Sequence, residues 1–224
     1  MTYKETIAHI DIPPYTDKQE SFNGISHALG IIVALIISLI ALVSFSNNNL
    51  ALVDFVGLLV FVSTITAVYF VSSLYHFTPH DDPNKKAYRV LDHCTIYLLI
   101  AGTYTPVCLS LMDKHIIGLI MLIIEWTCVV LGMIMNAFFF NKKYIKVLSL
   151  ILYLGMGWLV LVSGGFLYMT PMSFGFILAG GIVYSIGAIL YGVGKKNLRF
   201  HCIFHVFVLL STIVQSIGVL SIFF

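Results

Sequence analysis

Charge is what this chain has least of. Of its 224 residues only 10% are Asp, Glu, Lys or Arg, while 59% are hydrophobic. A soluble domain carries roughly a quarter charged residues, and long apolar runs without charge read as membrane spans. A soluble globular protein is therefore excluded. Cysteine is scarce too: Cys94, Cys108, Cys128 and Cys202 all fall in apolar stretches and form no CxxC pair, so no disulfide framework is expected. The basic residues sit in small loop clusters and leave a net charge of only +2, which points to no nucleic-acid partner. The first twenty residues lack the basic start, apolar core and cleavage site of a signal peptide. They carry Lys4, Glu5, Asp17, Lys18 and the pair Pro13-Pro14 instead. Residues 1–20 are expected to form a cytoplasmic tail or interfacial arm, and residues 21–224 one membrane domain, because no linker or low-complexity tract divides them.

What is present is a series of seven apolar segments, each near the ~20 residues needed to cross a bilayer. They run over 24–46, 51–76, 88–111, 115–139, 146–168, 173–193 and 199–223. Turn chemistry separates them: SNNN, TPHDDPNKK, MDKH, NKK, TPM and GVGKKN. The expected fold is an all-α bundle of seven transmembrane helices. Lys4, Lys18, Lys85, Lys86, Arg89, Lys142, Lys143, Lys146, Lys195, Lys196 and Arg199 all fall on one side, leaving only Lys114 opposite. The positive-inside rule then places the N-terminus in the cytoplasm and the C-terminus outside.

With seven spans, the end of the second, the start of the third and the start of the seventh share one face of the membrane. His76 ends the second in SSLYHF, Asp92 opens the third in YRVLDHC, and His201 and His205 open the seventh in HCIFH. Four residues turn a helix by about 400°, so His201 and His205 point the same way. Imidazoles at i and i+4 are a recurrent zinc-binding pair. His76 is the third candidate ligand, and Ser72 lies one turn before it on the same face, suited to a supporting hydrogen bond. Asp92 can serve as a fourth ligand or hold a metal-bound water. The bland alternative is a set of separate interfacial histidines, with Asp92 paired to Arg89 or a loop lysine; the costliness of intramembrane ionisable groups favours the shared site.

Other residues are weaker candidates. Pro79 places His80 in a loop. His93 points away from its neighbour Asp92, and His9 and His115 lie outside the spans. Glu125 falls mid-span in LIIEWTC, either hydrogen-bonded within the bundle or marking a polar path. Pro106 is expected to bend its helix, with the freed carbonyl accommodated by neighbours or by the Thr103 and Thr105 hydroxyls. Gly180, Gly181, Gly187 and Gly192 are expected to allow close helix approach.

These motifs resemble the hemolysin III family, the bacterial branch of the progestin and adiponectin Q receptor superfamily. The resemblance rests on ESFNGISH (Glu20, Asn23, His27), on SSLYH with the later LDH (Ser72, His76, Asp92), and on HCIFH (His201, His205). YLGMGWLVL and GGIVYSIGAILY extend it, so that it covers the chain from about residue 20 onward. It implies a seven-helix bundle in the bacterial cell membrane, with zinc held near the inner leaflet by His76, His201 and His205. It also implies a zinc-bound water facing Asp92. Glu20, Asn23 and His27 enter only through it, as elements supporting the site.

Three histidines leave a metal position open for water, the pattern of catalytic rather than structural zinc. Asp92 is then the expected proton acceptor, and the substrate class a membrane lipid with an acyl amide or ester bond. Two other readings stand beside this one: a non-enzymatic lipid-state sensor, and a pore-forming cytolysin. A pore needs polar lining along its full depth, whereas the polar residues here gather at one end.

Overall fold

A computed structural model describes residues 3–193 and 197–224, and every regular element among them is helical. The elements are α1 (Tyr3–Ala8), α2 (Asp17–Ser46), α3 (Leu52–Phe77), α4 (Lys85–Met112), α5 (Ile117–Phe139), α6 (Lys143–Gly157), α7 (Leu159–Val162), a 3-10 turn (Gly165–Tyr168), α8 (Pro171–Val193) and α9 (Arg199–Leu220). Six of them (α2, α3, α4, α5, α8 and α9) are long and apolar enough to cross a membrane. Short turns make sequential helices antiparallel neighbours, and α9 closes the bundle by packing on α2 and α4.

Apolar residues cover the outside as well as the inside, as a lipid-facing surface requires. Leu35 and Leu39 on α2, Val130 on α5 and Ile189 on α8 are exposed. Polar side chains such as Thr64, Asn136, Ser149, Ser211 and Gln215 are buried between helices. At the centre is α4, with 72% of its apolar window enclosed. Close approach of α3 to α4 depends on Gly102, where a Cβ would lie 1.8 Å from Thr64 Oγ1. Of the four glycines expected to serve packing, Gly180 abuts Gln215 and Gly187 abuts Phe207. Gly181 and Gly192 have open space beside them and line a cavity instead.

The fifth expected span, 146–168, is not one helix. It breaks at Trp158 (φ −102°, ψ 5°), and Gly164 turns the chain again at φ +76°. A break inside a bilayer exposes carbonyls that water cannot satisfy. Tyr104 of α4 donates to the Gly157 carbonyl at 2.7 Å, and Trp158 Nε1 donates to Ser185 Oγ at 3.1 Å. Helix α4 itself runs unbroken through Pro106. Thr103 donates to Leu99 O and Thr105 to Ala101 O, so neither hydroxyl takes the carbonyl of Gly102, four residues before the proline.

The N-terminal segment lies across the basic end of the bundle. Thr6 donates to the Phe138 carbonyl at 2.8 Å and Lys86 to the Ala8 carbonyl at 2.9 Å, while Arg89 donates to the Asp11 carbonyl. Ile10 is buried against Val90, Cys94 and Phe140. Helix α2 starts at Asp17, earlier than the hydrophobic pattern of 24–46 indicates. The reason is a capping box, in which Thr16 Oγ1 accepts from Gln19 N and Thr16 N donates to Gln19 Oε1. Lys114 marks the opposite end, donating to the Tyr168 carbonyl. Lys195 and Lys196 lie outside the described residues. All four cysteines are free thiols.

Candidate metal centre

Helix α3 ends at Phe77 because Thr78 turns extended ahead of Pro79. His76 is thereby left in the last turn and His80 beyond the helix. Helix α9 starts at Arg199, which puts His201 in its first turn and His205 one turn deeper. The three imidazoles meet. One ring nitrogen from each lies within 4.8 Å of the other two, forming a group able to hold a metal ion. His201 Nε2 is 3.4 Å from His76 Nε2 and 2.9 Å from His205 Nε2.

The second ring nitrogens show whether a cation suits this group. His76 Nδ1 lies 2.5 Å from Glu20 Oε2, so it carries the proton and its Nε2 lone pair faces the other histidines. The Nδ1 atoms of His201 and His205 are buried without a hydrogen bond among the described residues. Three imidazoles turn ring nitrogens on one another out of water, an arrangement of facing donor atoms that a bound cation would satisfy. Tetrahedral zinc–imidazole bonds of ~2.0–2.1 Å set donor nitrogens about 3.3 Å apart, close to the spacings seen. The residues fit the ion.

Around the trio the sequence-derived candidates take distinct places. Glu20, in the first turn of α2, also accepts from Lys85 Nζ at 2.7 Å through its other oxygen. Lys85 is 1% exposed, donates as well to the Thr78 carbonyl, and lies 4.9 Å above the Tyr75 ring. His27 is buried with its ring centroid 3.7 Å from that of His205, and both its nitrogens lack partners among the described residues. Asn23, one turn before it, is fully buried with its amide likewise unpaired. Ser72 is fully buried, and its hydroxyl faces the Asp92 carboxylate, which has His76 and Arg89 in electrostatic reach.

Ser72, Asp92, His201 and His205 all line one cavity of about 580 Å³ that extends between α4, α6, α8 and α9. Its deeper walls are apolar, including Leu99, Ile100, Leu154 and Val208. His93 also lines this cavity and packs edge-on against Phe140 at 4.9 Å, while His115 stacks on Tyr168 at the far end. Glu125 is fully buried in α5 with neither oxygen hydrogen-bonded among the described residues.

Two contributors escape sequence reasoning. Lys85 is indistinguishable in composition from Lys86 beside it. Tyr15 stacks on His201 at 5.1 Å and meets His76 edge-on at 5.8 Å, covering the trio. Burial pushes its hydroxyl well above the usual phenol range, so it stays neutral. A signal for Tyr15 did exist: Pro13-Pro14 fixes an extended approach and the Thr16 box fixes the helix start, leaving Tyr15 tethered between.

Comparison with known proteins places the chain in a family. Residues 15–216 match the family described as "Haemolysin-III related". The "Hemolysin-3 homolog" of Bacillus subtilis (strain 168) is 38% identical over 197 residues, 87% of this chain and 90% of that protein. The "Hemolysin-3" of Bacillus cereus is 37% identical over 194 residues, 86% of each chain. The histidine end and the apolar helices thus lie within the matched region of a multi-pass membrane protein.

Proposed function

This chain belongs to the haemolysin III-related family, and on that premise we propose that it is a zinc-dependent intramembrane hydrolase acting on acyl bonds of membrane lipids. One observation carries the reading: two of the three metal-capable histidines, His201 and His205, line the same cavity as Asp92, and its deeper walls include Leu99, Ile100, Leu154 and Val208. His76, His201 and His205 would hold the zinc ion, whose chemistry there would be Lewis-acid polarisation of an acyl carbonyl and a lowered pKa for water. Asp92 is the group that accepts and returns the proton, at its carboxylate, with the Ser72 hydroxyl orienting it. Glu20 keeps the proton of His76 on Nδ1, and the His27 ring packs against that of His205, with the buried Asn23 one turn before it. The apolar walls take the acyl chain and exclude water from it.

The same reading includes seven crossings, with α6, α7 and the 3-10 turn together making the fifth, an inside N-terminus and an outside C-terminus. The basic bias of the histidine end supports it. A reporter fused after Phe224 that is active only outside the cytoplasm is the expected result.

Tyr15, seated over the trio, favours a second reading, a lipid-state sensor whose arm responds to occupancy of the cavity. The relatives' printed names point to haemolysis; the apolar cavity walls argue against a water-filled pore within one chain. Elemental analysis and fatty-acid release, measured on one preparation in mixed bacterial lipids, test the proposal. One zinc per chain with fatty-acid release supports the hydrolase. Well-folded, zinc-loaded protein that releases none selects the sensor.

A further inference from the structure

The cavity lined by Asp92, His201 and His205 ends at one level on the helices around it. Among the described residues, its lining stops at Tyr104 on α4, at Trp158 where α6 breaks, at Gly181 on α8 and at Gln215 on α9. Contacts between the helices join these four ends into one layer. Tyr104 donates to the Gly157 carbonyl at 2.7 Å, and Trp158 Nε1 donates to Ser185 Oγ at 3.1 Å. Ser185 Oγ in turn donates to the Gly181 carbonyl at 2.8 Å. Gln215 closes the remaining side. A Cβ on Gly180 would lie 2.2 Å from its Cγ, and Ser211 of the same helix donates to the Gly180 carbonyl at 2.7 Å. The layer is a floor, and the indole at the helix break ties α6 to α8 within it.

Helix geometry gives the depth of that floor. Helices α4 and α9 both start at the histidine end, so residue numbers along them count distance from the site. His205 and Gln215 are ten residues apart, about 15 Å at the rise of an α-helix, and Asp92 and Tyr104 are twelve apart, about 18 Å. An extended chain advances about 1.2 Å per bond, so this depth takes about twelve to fifteen bonds. We infer that the layer is a chain-length ruler: Trp158 and the open space beside Gly181 set the longest acyl chain that fits between the floor and the histidine end. This rests on the reading of the cavity as an acyl-chain site, and it names the lipids taken as those with chains of about that length. The polar hydrogens of Tyr104, Trp158 and Ser185 are already used inside the layer, so a methyl end displaces no hydrogen bond there. A longer chain must fold back or leave its linkage short of Asp92. A shorter one leaves part of the cavity unfilled and loses the contacts of each missing methylene.

Binding, not turnover, tests the ruler. Full-length protein in nanodiscs is offered an equimolar series of saturated fatty acids, from well below to well above that length. The retained acids are identified by mass spectrometry. The expected result is a single optimum, with an acid longer by two methylenes retained about tenfold less. Trp158→Ala opens the floor and moves the optimum to longer acids by at least one member of the series. Gly181→Leu, where a Cβ meets nothing within 4 Å, fills the floor and moves the optimum to shorter acids; it decides the matter alone if Trp158→Ala folds poorly. Gly175→Leu, equally open but outside the cavity, leaves the optimum where it is. Retention without dependence on length, or an optimum unmoved by the Trp158 and Gly181 variants, overturns the inference and leaves acyl-chain binding in place. Stronger retention of an ω-hydroxy acid than of its plain counterpart would overturn the assignment of the floor to a methyl end. Retention of no acid at all removes the acyl-chain site and the ruler together. The hydrolase reading fails separately: an optimum that shifts with both variants, without fatty-acid release from lipid, removes the enzyme and keeps the ruler.

Discussion

Glu20 engages His76 and Lys85 at once, with one carboxylate oxygen 2.5 Å from His76 Nδ1 and the other accepting from Lys85 Nζ at 2.7 Å. Three helices meet in that pair of contacts, so the start of α2 and the start of α4 jointly set the angle of an imidazole on α3. Glu20→Gln keeps the size of the side chain but removes the charge that fixes the His76 tautomer. Loss of such a supporting contact typically lowers metal affinity about 10–100-fold. Competition with a buffered zinc chelator measures it. Affinity equal to wild type would make Glu20 a structural partner of Lys85 alone.

Tyr15 covers the histidines through ring contacts and not through a bond to the metal-facing nitrogens. Tyr15→Ala is therefore expected to speed zinc removal by a chelator several-fold while leaving zinc content at saturation unchanged. The arm keeps its other anchors at Thr6, Ile10 and Asp11. A removal rate equal to wild type would show that access to the site runs through the cavity and not beneath the arm.

How much of this was legible in the sequence depends on the kind of interaction. The i, i+4 spacing of His201 and His205, and the parity that returns His76 and Asp92 to the same end, follow from helix geometry, and the structure brings the three histidines together as that geometry demands. Resemblance supplied Glu20, Asn23 and His27, which no periodicity marks. An arm was one of two expectations for residues 1–20, but its seat was hidden because Lys86 and Arg89 hold it through the backbone carbonyls of Ala8 and Asp11, and a carbonyl leaves no trace in composition. The break at Trp158 was hidden for a related reason. Hydropathy is the same for a continuous and an interrupted helix, and the partner that makes the break tolerable, Tyr104, is far away in sequence.

That break gives a stability test. Tyr104→Phe removes the donor to Gly157 O and leaves a carbonyl unpaired inside the apolar region. The expected cost is about 1–3 kcal/mol, seen as a lower melting temperature in detergent. An unchanged melting temperature would mean that another donor, or water from the cavity, serves that carbonyl.

Glu125 offers the opposite sign. Its carboxyl is fully buried with no hydrogen bond among the described residues, so it costs desolvation without a compensating contact. Glu125→Leu is expected to hold or raise the melting temperature, by about 1–3 kcal/mol of removed penalty. Lower stability together with lost lipid hydrolysis would assign Glu125 to a polar path across the bundle.

Asp92 separates catalysis from structure. It shares the cavity with His201 and His205, faces the Ser72 hydroxyl, and is not one of the three residues whose ring nitrogens converge. As the proton acceptor of a hydrolase, it is replaceable in shape but not in basicity. Asp92→Asn should then lower fatty-acid release by roughly 10²–10⁴, the usual scale of general acid–base catalysis, with zinc content and melting temperature retained. As a fourth ligand of a closed site, it would show a different pattern, with zinc occupancy and stability falling together. Ser72→Ala sharpens the distinction. A hydroxyl that only orients Asp92 should cost less activity than Asp92→Asn, and its effect should largely vanish when the two changes are combined, because the oriented group is gone. Fully additive losses would instead give Ser72 a role independent of Asp92. Measuring zinc, melting temperature and fatty-acid release on the same preparations keeps these outcomes apart.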